Sequence, residues 1–442
     1  MSHLTQVARQ VADLSWDDLA AESQARVRLV LLDTLGCAAA GHRLGFHRAL
    51  VEAQLDAGGP PDATLWFERQ RVPAAHAALV NGTVAHHAEL DDGHPAASLH
   101  GGVTIVPSAL AAAEVSNASG RRLLEAIAAG YGAAIACGRP MLDGITAHRL
   151  HPPAIVGCFG AAAAAARALG LNGDGTAGAL SLASTLLPVA PFESFTKGAP
   201  VKDMYAGWPA FVGVTTALLA RDGMHGPVDA YEAPYDGVGQ LPCHGPPAPL
   251  EAPDSNAIRD TQFKAYATCR SVQPALTALE ALLPLDPDSI ESIDVATYPF
   301  AVELSHDADP TTAIGAKASI PYCIASCIID GAVGHDGFAP AALADTLRRR
   351  LAERVTVRVA DEMRRPLVRG ARIAVRCADG RTRQHAVRAT RWSASDPASE
   401  EEVIGKFRGL VGAGATGILR AVEELSQAGD VGNLSDALHG WP

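Results

Sequence analysis

The chain has 442 residues, 48% of them apolar and 19% charged, so it can bury a large core and is not globally disordered. A formal charge of −12 argues against a nucleic-acid partner. Alanine supplies 85 residues and aromatics only 5%, a mixture that suits closely packed helices better than a β-sandwich.

The length predicts two or three domains. Residues 1–18 already hold Arg9, Asp13, Asp17 and Asp18, so no secretory signal is read there. Eight scattered cysteines form no C-x-x-C pair, and together these features predict a reducing, cytoplasmic setting. The most apolar stretch, 154–171, carries Arg167 and several glycines, so it predicts a buried helix and not a membrane span.

In chain order, an apolar period of 3.6 predicts helices over 27–40, 74–89, 107–115, 120–138, 155–169, 177–187 and 208–221, with strand signals nearly absent. Proline and glycine crowd 226–254, which reads as an irregular connection. Beyond it, period-two alternation predicts strands over 292–298, 354–359, 372–377 and 382–387. Helices over 272–283, 320–331 and 340–351 lie among them, and 400–438 returns to a helical pattern. The expected fold is therefore mainly α: a large all-helical domain from 1–262 and 397–442, with a smaller α+β lid domain, 263–396, inserted. The dense arginines of 348–391 read as the solvated face of the small sheet.

Three segments carry candidate chemistry. Residues 81–102 (NGTVAHHAELDDGHPAASLHGG) hold His86, His87, His94, His100, Glu89, Asp91 and Asp92. The spacing lacks H-E-x-x-H and has no nearby cysteine, so it favours carboxylate–imidazole hydrogen bonding over a metal site. In AHRLHPPAIVG, His151 precedes Pro152 and Pro153, which fix its direction, and an anion could be captured at the helix start. The third segment, TKGAPVKDMYAGWPA, contains Lys197 and Lys202, with Tyr205 three residues beyond Lys202. The chain has only five lysines among 36 basic residues, and lysine, unlike arginine, can lose its proton near neutral pH. Lys264 opens FKAYATCR, and Tyr322 follows Lys317, which reads equally well as a surface residue.

These segments together resemble the MmgE/PrpD family. NGTVAHHAELDDGH is similar to its Asn-Gly-x-x-x-His-x-x-Asp-Phe-Asp-Asp-Thr-His motif. LLDTLGCAAAG, RLHPPAIVGCFGAAAAAARALGL, VKDMYAGWPA, KAYATCR and AKASIPYCIASCIIDG look like its other blocks, in order. The resemblance implies a homodimer acting on a small anionic polycarboxylate without metal or organic cofactor. It implies catalytic roles for Lys202, His151, His100 and Lys264, and substrate contacts at Glu89, Asp91, His94, Tyr205, Cys269 and Tyr322. Glu89 stands where the family has Asp, Leu90 where it has Phe, Gly93 where a threonine is usual, and Cys269 where some relatives carry His. The family's reactions share proton chemistry beside a carboxylate. The lost hydroxyl at Gly93 tilts the expectation toward an epimerase of an iminodisuccinate-like substrate. A 2-methylcitrate-type dehydratase, a cis-aconitate-type decarboxylase and a non-catalytic carboxylate binder are the alternatives. Activity is expected to survive exhaustive EDTA treatment.

Overall fold

The computed structural model describes residues 1–45, 47–229, 231–232, 250–364 and 369–439. The backbone divides into two compact units. The first comprises 1–192, 203–261 and 399–442, and the second 193–202 and 262–398. Residues 193–202, assigned from sequence to the helical body, thus pack with the second unit, and they take Lys202 with them.

In the first unit a continuous buried run in the helix Ala21–Leu44 matches its apolar-all-round sequence, and the helix stops at Gly45 with φ +71. It packs on Ala74–His87, while Gly101–Ser116, Gly120–Gly138 and Met204–Arg221 pack around Pro152–Ala168, each of these helices being buried over most of its length. Alanine and glycine let these helices approach closely: a Cβ on Gly207 would lie 2.2 Å from the Leu79 carbonyl oxygen. At that separation dispersion contacts involve backbone as well as side chains. The tail, Glu400–Val411, Ala415–Glu424 and Gly432–Leu438, belongs to this unit.

The second unit carries a four-stranded sheet in the order Val355–Val359, Ile290–Thr297, Ala371–Cys377, Thr382–Val387. The first pair is parallel, with Ile293 opposite Val355, and the other pairs are antiparallel. Burial alternates along Ala371–Cys377 as the period-two reading requires, whereas Thr382–Val387 is an exposed edge. Helices Gln273–Glu280, Ile320–Asp330 and Thr346–Ala352 belong to the same unit. Two of the dense arginines, Arg358 and Arg376, form bidentate pairs with Asp294 and Glu291 between neighbouring strands, with these side chains exposed.

Several expected boundaries move for physical reasons. Pro107 and Pro209 were read as helix starts or near-starts but lie inside their helices, which begin at Gly101 and Met204. The stretch 340–351 is two short helices, Pro340–Leu343 and Thr346–Ala352, because the Asp345 carboxylate caps a new start by accepting from the Leu347 N–H. A small hairpin, Ala63–Thr64 with Arg71–Val72, has no counterpart in the sequence pattern, since two-residue strands show no alternation. Of the connection expected over 226–254, residues 230 and 233–249 lie outside the described residues. No helix among the described residues is long and apolar enough to cross a membrane, and every cysteine among them is a free thiol.

Candidate active site

The first unit gathers His86, Asp91, Asp92 and His100. His86 sits in the last turn of Ala74–His87, and His100 caps Gly101–Ser116. Between them the chain turns at Glu89, whose φ is +54, and closes a small loop through the His94–Leu99 bridge, with Ser98 at φ +47. A left-handed backbone suits Asp or Asn better than a long side chain, so Glu89 is a strained choice where the family has Asp. Its side chain is buried.

Asp91, 1% exposed, places one carboxylate oxygen 3.1 Å from His86 Nδ1 and 2.8 Å from His100 Nδ1. The His100 Nδ1 is also 2.7 Å from the Asp92 carbonyl oxygen. A carbonyl only accepts, so the His100 Nδ1 carries the hydrogen and Nε2 is the nitrogen left for proton transfer. The carboxylate holds the ring's orientation. The segment thus uses carboxylate–imidazole hydrogen bonding, the arrangement its spacing favoured.

Asp92 makes a second, deeper layer. Its carboxylate accepts from the Gly102 N–H at 2.8 Å and from the Tyr131 hydroxyl at 2.5 Å. The two glycines make this possible: a Cβ on Gly101 would lie 2.3 Å from the Tyr131 ring, and one on Gly102 would lie 2.9 Å from the Asp92 carboxylate. Burial pushes the Asp92 carboxyl up to about 6, with the charges of Asp33 and Asp91 adding to the rise and the Tyr131 and Gly102 hydrogen bonds opposing it. Burial also pushes the Tyr131 phenol well above its ordinary range, so it stays a donor. The folded chain therefore binds this proton more tightly than the unfolded chain. Stability from this group is full below about pH 4 and is lost as pH rises through about 6, a displacement worth about 3 kcal/mol. Relative to wild type, Asp92→Asn is expected to gain in Tm between pH 4 and pH 7. A constant difference across that range would show that Asp92 does not titrate there.

Lys406, from the helix Glu400–Val411, reaches this loop. Its Nζ donates to Asp33 and to the Leu90 carbonyl oxygen, both at 2.6 Å, with side-chain exposures of 7% for Lys406 and 1% for Asp33. A buried pair of this kind leaves an uncompensated charge if one partner is removed. Lysine scarcity was the signal that could have found it, since this is the fifth lysine.

His151 is also in the first unit. Its N–H donates to the Ala190 carbonyl at 2.8 Å, and the Phe192 N–H donates to Arg149 at 2.9 Å, so two passing segments clamp it. Its ring centre is 6.5 Å from that of His86 and 5.3 Å from that of Tyr205. The expected anion cradle at this helix start is not built. Pro152 and Pro153 have no N–H, and the Ala154 N–H turns to the His151 carbonyl. Tyr205 spends its hydroxyl on the Pro191 carbonyl and packs against His151.

His94, read as a substrate contact, occupies both ring nitrogens within the protein. Nε2 lies 2.8 Å from the Ala257 carbonyl oxygen, and Nδ1 accepts from the Ala96 N–H at 3.4 Å. It anchors the loop. His87, one of the four histidines of 81–102 but given no role there, has its Nδ1 2.7 Å from Asp203, the residue before the helix Met204–Arg221.

The second unit holds Lys202, Lys264 and Lys317, all buried, so Lys317 is not the surface residue it could have been. Lys202 Nζ lies 5.2 Å from the Phe195 ring centre, and Lys317 Nζ 5.8 Å from that of Phe338. The Cys269 N–H donates to the Lys317 carbonyl, and its Sγ accepts from Ser271 at 3.1 Å. Tyr322, pushed up to about 12 mainly by burial, donates its hydroxyl to the Gly337 carbonyl at 2.8 Å. That bond gives Tyr322 a structural task inside the unit.

Sequence comparison reaches the same group of proteins as the residues do. Residues 5–251 match the MmgE/PrpD N-terminal domain and residues 266–425 the MmgE/PrpD C-terminal domain. The chain is 28% identical over 434 residues to the cis-aconitate decarboxylase-like protein oryM of Aspergillus oryzae, covering 90% of this chain and 88% of that one. It is 23% identical to cis-aconitate decarboxylase of Aspergillus terreus, covering 92% and 89%. With the cis-aconitate decarboxylase of Homo sapiens it shares 28% identity, covering 71% and 67%. Two domain matches that together span most of the chain, over a histidine–carboxylate loop with the family's spacing, establish that this protein is a member of the MmgE/PrpD family.

Proposed function

We propose that the protein is a lyase that decarboxylates a small unsaturated tricarboxylate of the cis-aconitate type, without metal or organic cofactor. The carrying observation is the His100 imidazole, oriented through Nδ1 by Asp91 and the Asp92 carbonyl with Nε2 left for the proton. In this reaction the bond to one carboxyl carbon breaks and carbon dioxide leaves. The electron pair stays on carbon, spread into the adjoining unsaturated carboxylate, and one proton is then delivered to carbon. An imidazole oriented by a buried carboxylate is suited to that delivery. Lys202 and Lys264 are proposed as the cations that hold carboxylates or carry protons, and the working form as a cytoplasmic homodimer.

The names of the relatives favour this branch over the epimerase expected from Gly93. Gly93 does not oppose it. A missing hydroxyl handicaps a dehydratase, in which a hydroxyl departs, but decarboxylation expels no hydroxyl either. NMR of cis-aconitate incubated with the enzyme in D₂O decides. Loss of one carboxyl with one deuterium gained at carbon is expected. Water loss from a hydroxy acid such as 2-methylcitrate, with no decarboxylation, would make it a dehydratase. Exchange and stereochemical scrambling of a substituted succinate would make it an epimerase. Binding without turnover of any of these would make it a carboxylate-binding protein.

A further inference from the structure

Outside the loop described above, the first unit holds a second histidine–carboxylate cluster. His42 lies near the end of the helix Ala21–Leu44, and His47 is the residue before Arg48–Ala57. Glu68 sits in the turn between the strands Ala63–Thr64 and Arg71–Val72. Two separated stretches of chain thus bring two imidazoles and one carboxylate together. Each offers one donor atom, and the three atoms lie within 4.8 Å of one another.

The geometry is specific. Both imidazoles present Nε2 to the same Glu68 oxygen, at 2.9 Å from His42 and 3.3 Å from His47. Two donors bound to one ion at about 2.1 Å stand roughly 3.0–3.4 Å apart in octahedral or tetrahedral coordination. The observed separations already have that scale. The ring centres are 4.7 Å apart and tilted by 37°, so the rings converge on the carboxylate without stacking face to face.

The surroundings of the cluster are hydrogen-bonded and partly buried. His47 is 5% exposed. The two residues before Glu68 are tied down: the Trp66 N–H donates to Asn81 at 3.0 Å, and the Phe67 N–H donates to the Leu438 carbonyl at 2.8 Å. Phe67 itself has φ +64, a left-handed conformation that a bulky residue adopts only where its surroundings enforce it. About a quarter of the His42 and Glu68 side chains remains exposed, which leaves one side open for water to complete a coordination shell.

We infer that His42, His47 and Glu68 form a binding site for one borderline-soft divalent transition ion of the zinc class. Two imidazoles and a carboxylate suit zinc, cobalt or nickel and select against calcium and magnesium, which prefer all-oxygen shells. The ion clips the Glu68 turn to the ends of two helices, a structural task. None of the three residues belongs to the His100 loop, so the metal-independent reaction proposed above does not depend on it.

The test uses the full chain, stripped of metal by chelation and dialysis, and titrated with zinc chloride against a chromophoric chelator. One equivalent is expected to bind, with an absorption-edge spectrum showing two imidazoles and no sulfur. Glu68→Gln and His42→Ala should each weaken binding by at least about 10-fold. The partly exposed His42 is chosen because truncating the buried His47 ring could disturb folding. Absence of stoichiometric zinc in the wild type, unchanged affinity in both variants, or sulfur in the shell would overturn the site. In the last two cases the zinc is held by other histidines or by cysteines. Decarboxylase activity does not enter the readout, so failure of the zinc site and failure of the proposed reaction are separable.

Discussion

Replacing His100 by Gln is expected to lower kcat by 10²-fold or more, the usual scale for loss of a positioned proton donor or acceptor, with KM changed far less. The reason lies in how the ring is held. His100 Nδ1 faces the Asp91 carboxylate at 2.8 Å and the Asp92 carbonyl at 2.7 Å, so Nε2 is the nitrogen left for the proposed proton transfer. Glutamine keeps polarity and approximate reach but cannot exchange a proton near neutral pH. Asp91→Asn is the companion variant. It is nearly isosteric and removes the charge that orients two imidazoles, so the turnover loss should resemble that of His100→Gln. Equal reductions in kcat and kcat/KM would place the lost interaction in the transition state. Turnover within about threefold of wild type for His100→Gln, with Tm unchanged, would remove His100 from the chemistry and leave His151 as the histidine to examine.

Lys202 gives the second large effect. It is 2% exposed in a chain that uses arginine for nearly every ordinary cationic position. Of the five lysines only Lys197 is exposed, whereas Lys202, Lys264 and Lys317 are buried and Lys406 is held in a buried ion pair. Lysine survives here where a compact amine is required. Lys202→Arg retains charge but removes a group that can titrate, and Lys202→Met keeps most of the stem while removing both. If Lys202 carries a proton, both variants lose roughly 10²-fold or more in kcat. If it only clamps a carboxylate, Arg retains much of kcat and Met mainly raises KM. Near-normal kinetics for both at unchanged stability would remove Lys202 from the site.

Local pattern determined a great deal about this protein. The helix Gly120–Gly138 and the strand Thr382–Val387 coincide with the ranges read from periodicity, and the other three strands agree to within two residues. Such patterns are legible because a turn of helix or a pleat of strand relates residues two to four positions apart. The histidine–carboxylate loop was legible for the same reason: Asp91, Asp92 and His100 lie within ten residues of one another. Tertiary structure alone decided which of these groups are free for chemistry. His94 resembles its neighbours in sequence, yet the Ala257 carbonyl, 163 positions away, takes one of its nitrogens. Asp33 and Lys406 meet across 373 positions, and no local period connects them. Lys202 belongs with the second unit because residues 193–202 pack there, although they interrupt a run of helices belonging to the first. Propensity acts over one turn of chain, whereas the cost of burying a charge is settled by whatever partner the fold brings to it.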